Sequence, residues 1–130
     1  MTSQGTAHGR FQRAIQRRQL FAAEIAAREL GALSLSDALA LCLLYEAEND
    51  PRFERAMRRW LSRTRREHAL RHEQVELLLA AAGALRTPFR RLAVEVLSGA
   101  CGELGMPVPT SLSEGVKSSA RTLREGRDRA

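Results

Sequence analysis

Phe53-Glu54-Arg55-Ala56-Met57-Arg58-Arg59-Trp60-Leu61-Ser62-Arg63-Thr64 sets Phe53, Ala56, Met57, Trp60, Leu61 and Thr64 on one helical period. Steps of three and four residues trace one face of a helix, whereas a strand would alternate at every second residue. Asp50-Pro51 stands just before it, an N-cap followed by proline at the first helical position, where a missing N–H costs nothing. The stretch is a helix with one apolar face, and it needs other helices to bury that face.

The same signals recur on both sides. Thr87-Pro88 opens a helix carrying Phe89, Leu92, Ala93, Val96, Leu97, Ala100, Cys101 and Leu104 on its apolar side. A helix over about 72–85 carries Val75, Leu78, Leu79 and Ala82. Upstream, Ser34-Leu35-Ser36-Asp37 is a capping box that starts a helix over about 35–48. That helix is apolar nearly all round, which marks it as central. One long helix is predicted over about 10–30, with Phe11, Ala14, Ile15, Ala22, Ile25 and Ala26 on one face and Gly31 as its stop. Pro107 and Pro109 end the compact part. Ser111-Leu112-Ser113-Glu114 is a further capping box, after which Val116, Ala120 and Leu123 follow Leu112 at helical spacing. Gly115 and several serines weaken that stretch, leaving either a conditional helix over 111–125 or a disordered basic tail.

Composition points the same way. Hydrophobic residues make up 44% of 130 residues but aromatics only 5%, so the core is built from Ala and Leu, which suits helix-on-helix packing. The predicted fold is all-α, five or six helices packed as successive antiparallel hairpins, in a helical-repeat-like array or a compact bundle. Helix one pairs with two, three pairs with four, and helix five begins a third hairpin. Residues 1–9 read as a disordered N-terminal tail, 10–105 as the helical domain, and 106–130 as a Pro/Ser/Arg-rich tail.

Arg10-Phe11-Gln12-Arg13-Ala14-Ile15-Gln16-Arg17 returns as Arg52-Phe53-Glu54-Arg55-Ala56-Met57-Arg58-Arg59, with a fainter echo at Phe89-Arg90-Arg91-Leu92-Ala93. Intervals of 42 and 36 residues between the phenylalanines are those of stacked helical hairpins. Tetratricopeptide and ankyrin consensus residues are absent, and Arg-rich amphipathic helices resemble one another by composition alone, so both explanations stay open.

Leu35-Ser36-Asp37-Ala38-Leu39-Ala40-Leu41, Asp50-Pro51, Arg55-Ala56 and Arg59-Trp60-Leu61 resemble a group of uncharacterised small Arg-rich helical proteins from GC-rich bacteria, over roughly residues 10–85. The resemblance implies a helical fold and brings no activity with it.

Twenty arginines stand against a single lysine, a bias that genome composition alone produces, so placement is more telling than number. Residues 51–71 hold eight arginines against Glu54 and Glu67, a net +6 that equals the charge of the whole chain. Within it Arg52, Arg55, Arg59, Arg63 and Arg66 form a stripe about 21 Å long at ~1.5 Å rise per residue. A guanidinium fork every turn meets the carboxylates of an acidic protein or successive phosphates. The plain alternative is a solvated face, partly neutralised by Glu46, Glu48 and Asp50.

Other chemistries find little support. A helix-turn-helix over 26–44 fails because its second helix would offer leucines where a recognition helix needs polar base readers. His68 and His72 would share a face if one helix ran through them, but neither metalloprotease spelling is met and Arg71 opposes a divalent ion. Trp60 shares the register of Phe53 and Met57, which assigns it to the core and not to base stacking. Serines and cysteines have no adjacent base in a familiar pattern, and no Gly-rich loop follows a strand. Cys42 and Cys101 read as buried thiols of a reducing cytosol. Residues 1–23 hold arginine without acid, as transit peptides do, yet they also read as the first helix. The longest apolar runs fall short of the ~20 residues that span a bilayer. The expectation is a cytoplasmic, non-catalytic scaffold or adaptor without cofactor or metal, whose basic stripe binds an acidic protein segment. The alternative is a nucleic-acid binder that grips phosphate backbones with little sequence choice.

Overall fold

The computed structural model describes residues 6–113. Six helices follow one another: α1 (Ala7–Gln16), α2 (Leu20–Leu30), α3 (Leu35–Ala47), α4 (Phe53–His68), α5 (His72–Ala84) and α6 (Arg90–Glu103). A further helical turn begins at 110–113, and no strand occurs among the described residues. No helix among them is long and apolar enough to cross a membrane.

Local chemistry sets most boundaries. The Ser34 hydroxyl accepts from the Asp37 N–H at 3.1 Å and starts α3 where the capping box predicts. Before α4, Asp50 acts one turn earlier than a plain cap. Its carboxylate accepts from the Arg52 N–H at 2.8 Å and its carbonyl from the Phe53 N–H at 3.2 Å, with Pro51 inside the turn. Thr87 repeats this around Pro88, accepting from the Phe89 N–H at 3.1 Å.

The single helix expected over 10–30 is two helices. The break falls at Arg18, whose φ of 55° is left-handed, and the Gln19 N–H closes back on the Ala14 carbonyl at 2.9 Å. A non-glycine residue in that conformation costs about 1–2 kcal/mol, and nothing in the residue type announces it. The turn lets α1 fold onto α2, so that Phe11 and Ala14 are buried against Ala23 and Ala26, whose small side chains permit close approach. Arg10 and Glu29 form an ion pair across the two helices. The break also shifts the pairing by one helix. The closest neighbours are α1 with α2, α3 with α4, and α5 with α6; α4 also packs on α5, and the α1/α2 pair rests on α3. α1 begins at Ala7 under a Thr6 cap, three residues before Arg10.

The helix expected to be central sits between two apolar clusters. Leu35, Leu39, Cys42 and Leu43 of α3 enter a large cluster with α4, α5 and α6, while Leu44 closes a small one with α1 and α2. Trp60 lies in the large cluster at 3% exposure, and its Nε1–H donates to the Leu35 carbonyl at 2.8 Å. Residues 106–113 stay attached. Ser36 donates to the Pro107 carbonyl at 2.8 Å, Pro109 is buried, and Leu112 enters the large cluster. The rest of the expected conditional helix, 114–125, lies outside the described residues.

α6 departs from its expected one-sided pattern. Ala93, Val94, Leu97 and Cys101 are buried, but Phe89 and Leu92 face solvent. Phe11 and Phe53 are buried, so Phe89 at 65% exposure is not their structural counterpart.

Burial also sets a pH limit. It pushes the Cys42 thiol up to about 12 and the Cys101 thiol to about 11. The Tyr45 hydroxyl rises to about 12, through desolvation first and then through the hydrogen bond it donates to Glu24. Below about pH 9 both folded and unfolded chains hold these protons; between about pH 9 and 12 only the folded chain does. Stability should therefore fall as pH rises through that window. Urea midpoints should move down steadily, and less steeply at the alkaline end for Tyr45→Phe; a flat profile would contradict the burial of these groups.

Candidate functional site

α4 is the most sharply two-sided helix among the described residues. Phe53, Met57, Trp60, Leu61 and Thr64 are buried, which turns the arginines outward. The five residues of the expected stripe do not behave alike. Arg52 precedes the first turn and is consumed by structure. It grips Asp50 with two hydrogen bonds of 3.0 Å, pairs with Glu24 of α2 at 2.7 Å, and lies 4.9 Å from the Tyr45 ring centroid. Tyr45 closes the loop by donating to Glu24 at 2.6 Å. These contacts hold the Asp50 carboxyl below its ordinary range and the guanidinium above its own, chiefly through the Asp50–Arg52 hydrogen bonds. Arg63 is half-buried and paired with Glu67 at 2.9 Å.

Arg55, Arg59 and Arg66 remain. All three are exposed and carry no ion pair among the described residues. At about 100° and ~1.5 Å per residue they fall within about 40° of one another and span about 16 Å of helix. The expected neutralisation from the preceding helix reaches none of them. Glu46 pairs with Arg90 at 2.6 Å, Glu48 with Arg18 at 3.0 Å, and Asp50 with Arg52.

A groove of about 370 Å³ lies between α4 and α5, and none of these three arginines lines it. Phe53, Met57, Leu79 and Ala82 line it, with Arg58 and Arg86 also on its wall. Arg86 stacks 5.0 Å from the Phe53 ring centroid and donates to the Asp50 carbonyl at 3.1 Å. Arg58 pairs with Glu54 at 3.0 Å. The unpaired cations of α4 and the apolar groove therefore lie on different sides of the helix, with Glu54 and Arg58 between them.

His68 and His72 do not share a helix. α4 ends at His68, Ala69 turns left-handed with φ 50°, and α5 starts at His72, whose ring lies 3.4 Å from Glu76. Among the described residues no group of three or more His, Cys, Asp or Glu is placed to hold a metal ion.

One feature has no counterpart in the sequence expectations. A cleft of about 690 Å³ lies between α1, the start of α3, the end of α4 and residues 104–110. His8 and Gln12 of α1 meet Asp37 of α3 on its wall, at 3.3 and 3.2 Å. The signal available was slight: His8 and Gln12 are four apart, but a segment read as tail has no assigned face. The two residues help seat α1 on α3. Comparison with protein-family models, curated proteins and solved structures finds no match for this chain.

Proposed function

We propose that the protein is a non-catalytic interaction module, a small scaffold or adaptor, that binds an acidic protein segment along α4. The observation that carries this is the line of Arg55, Arg59 and Arg66, unpaired among the described residues and in register on the exposed face of α4. Guanidinium forks pair with carboxylates in two-point geometry, which a run of acidic side chains supplies. A nucleic-acid backbone would use the same arginines. Arg52 has no part in the contact, because Glu24 and Asp50 already hold it, and Arg63 contributes little beside Glu67.

Arg55→Glu, Arg59→Glu and Arg66→Glu together test the reading. All three positions are exposed, so the melting temperature should stay near that of the wild type. Affinity for a designed peptide alternating Glu and Leu should drop at least about tenfold, given ~0.2–1 kcal/mol for each exposed pair and the added repulsion on reversal. Wild-type binding of that peptide should weaken with salt, since exposed charge pairs are screened. If the peptide does not bind while single-stranded DNA does, with a log–log salt slope near about −0.7 per neutralised phosphate, the ligand is a phosphate backbone.

A further inference from the structure

We propose that the outer face of the α1/α2 pair docks on an anionic phospholipid membrane, along which the protein lies without crossing it. On α2, Phe21, Ile25 and Arg28 follow at steps of four and three and fall within about 60° of one another, on the side away from the buried Ala23 and Ala26. Phe21 is 75% exposed and Ile25 40%, so an aromatic ring and an aliphatic chain stand out from the surface one turn apart. On α1, Arg10, Arg13 and Arg17 follow at steps of three and four along the edge turned to α2, as the Arg10–Glu29 ion pair shows. The turn at Arg18 reverses the chain and brings Arg17 level with the start of α2, where Phe21 stands. Arginines therefore border the apolar apex on both sides, Arg17 from α1 and Arg28 from α2, with Arg52 beyond Arg28 on Glu24.

Charge selects the occupant. Residues 7–30 hold five arginines against Glu24 and Glu29, a net 5 − 2 = +3. The carboxylates that meet the pair are each engaged: Glu24 with Arg52 and Tyr45, Glu29 with Arg10, Glu48 with Arg18, and Asp37 with His8 and Gln12. Arg17 and Arg28 are exposed and have no ion pair among the described residues. The face is cationic, which opposes a second copy presenting the same face. The order of the groups suits a bilayer surface. Apolar side chains on an interfacial helix enter the boundary of headgroups and acyl chains by about 5–10 Å, while guanidinium groups on their longer stems stay among the phosphates. An acidic protein segment would also meet the arginines, but a ring that projects outward needs a recess in such a partner, and acyl chains close around it without one. Arg55, Arg59 and Arg66 belong to another helix, so this surface is separate from the carboxylate-binding face of α4.

Sedimentation of the full-length protein with vesicles tests this, using phosphatidylcholine alone and phosphatidylcholine with an equal part of phosphatidylglycerol. The expected result is binding to the anionic vesicles only, weakening as salt is raised. Phe21→Ser with Ile25→Ser should lower the partition coefficient at least about tenfold, the effect of withdrawing two apolar side chains from the interface. Arg17→Glu with Arg28→Glu should also lower it. All four positions are exposed, and circular dichroism checks that each variant folds. Phe89→Ser with Leu92→Ser, a pair of exposed apolar residues on α6, should bind as the wild type does. Phe21→Trp reports depth: its emission, taken as the difference from wild type with its buried Trp60, should shift to shorter wavelength on anionic vesicles. No binding to anionic vesicles, equal binding by wild type and the Phe21/Ile25 variant, or a Phe21→Trp emission that lipid does not move each overturns the inference. So does a wild type that ignores vesicles but binds the Glu/Leu peptide, or a second copy, through Phe21 and Ile25, which would assign the face to a protein.

Discussion

Trp60→Ala should destabilise the fold by about 3–5 kcal/mol, the range for truncating a fully buried aromatic side chain. The indole is 3% exposed and sits where α4 crosses the start of α3, with Leu39, Met57 and Leu97 in the same cluster. Its loss removes the ring and also the 2.8 Å hydrogen bond that ties α4 to the Leu35 carbonyl. Trp60→Phe separates the two contributions: most of the packing survives while the hydrogen bond goes, for a smaller loss that includes about 1 kcal/mol from that bond. Urea unfolding followed by circular dichroism gives both values. A Trp60→Ala loss below about 1 kcal/mol would place the indole outside the core.

Leu112→Ala should cost about 2–5 kcal/mol. Its side chain is 2% exposed although it lies beyond Pro107 and Pro109, where the sequence suggests that compact structure has ended. Leu112 fills a position in the large cluster that no helix from α1 to α6 supplies, and Ser36 holds the approach to it through the Pro107 carbonyl. Ser36→Ala should cost far less, about 0.5–1.5 kcal/mol, since only one exposed-side hydrogen bond is lost. Removing residues 106–130 should match or exceed the Leu112→Ala loss, and equal stability of the shortened and full chains would show that the segment contributes nothing to the core.

Where a feature depended on neighbours in sequence, it was legible. The starts of α3, α4 and α5 follow from Ser34, from Asp50-Pro51 and from the apolar period that resumes after His72, all decided within one turn. The α1–α2 break was hidden because its cause is tertiary: Arg18 takes a left-handed conformation so that Phe11 can reach Ala23 and Ala26. The same limit runs through the candidate site. Periodicity aligned five arginines on one face, but only the fold shows that Glu24, 28 residues before Arg52, removes that arginine from the line. Phe89 and Leu92 have the spacing of core residues, and spacing cannot say which of two apolar faces on α6 meets a neighbour. His8 and Asp37 are 29 residues apart, so no local pattern joins them.

The division of the interior into two clusters has a consequence for how the chain breathes. Among the described residues the α1/α2 cluster holds five buried side chains, two of them beyond Ala being Phe11 and Leu44, against seventeen in the cluster of α3 to α6. Local opening follows the weaker unit, so amide protons of α1 and α2 exchange first while those of α4 report the global transition. Lifting the first pair also parts Glu24 from Arg52 and Tyr45, since both contacts cross that boundary. Transient detachment of the N-terminal pair and the electrostatic potential of the α4 surface are thereby one coupled equilibrium, in which any ligand that competes with Glu24 for Arg52 also favours the loosened form.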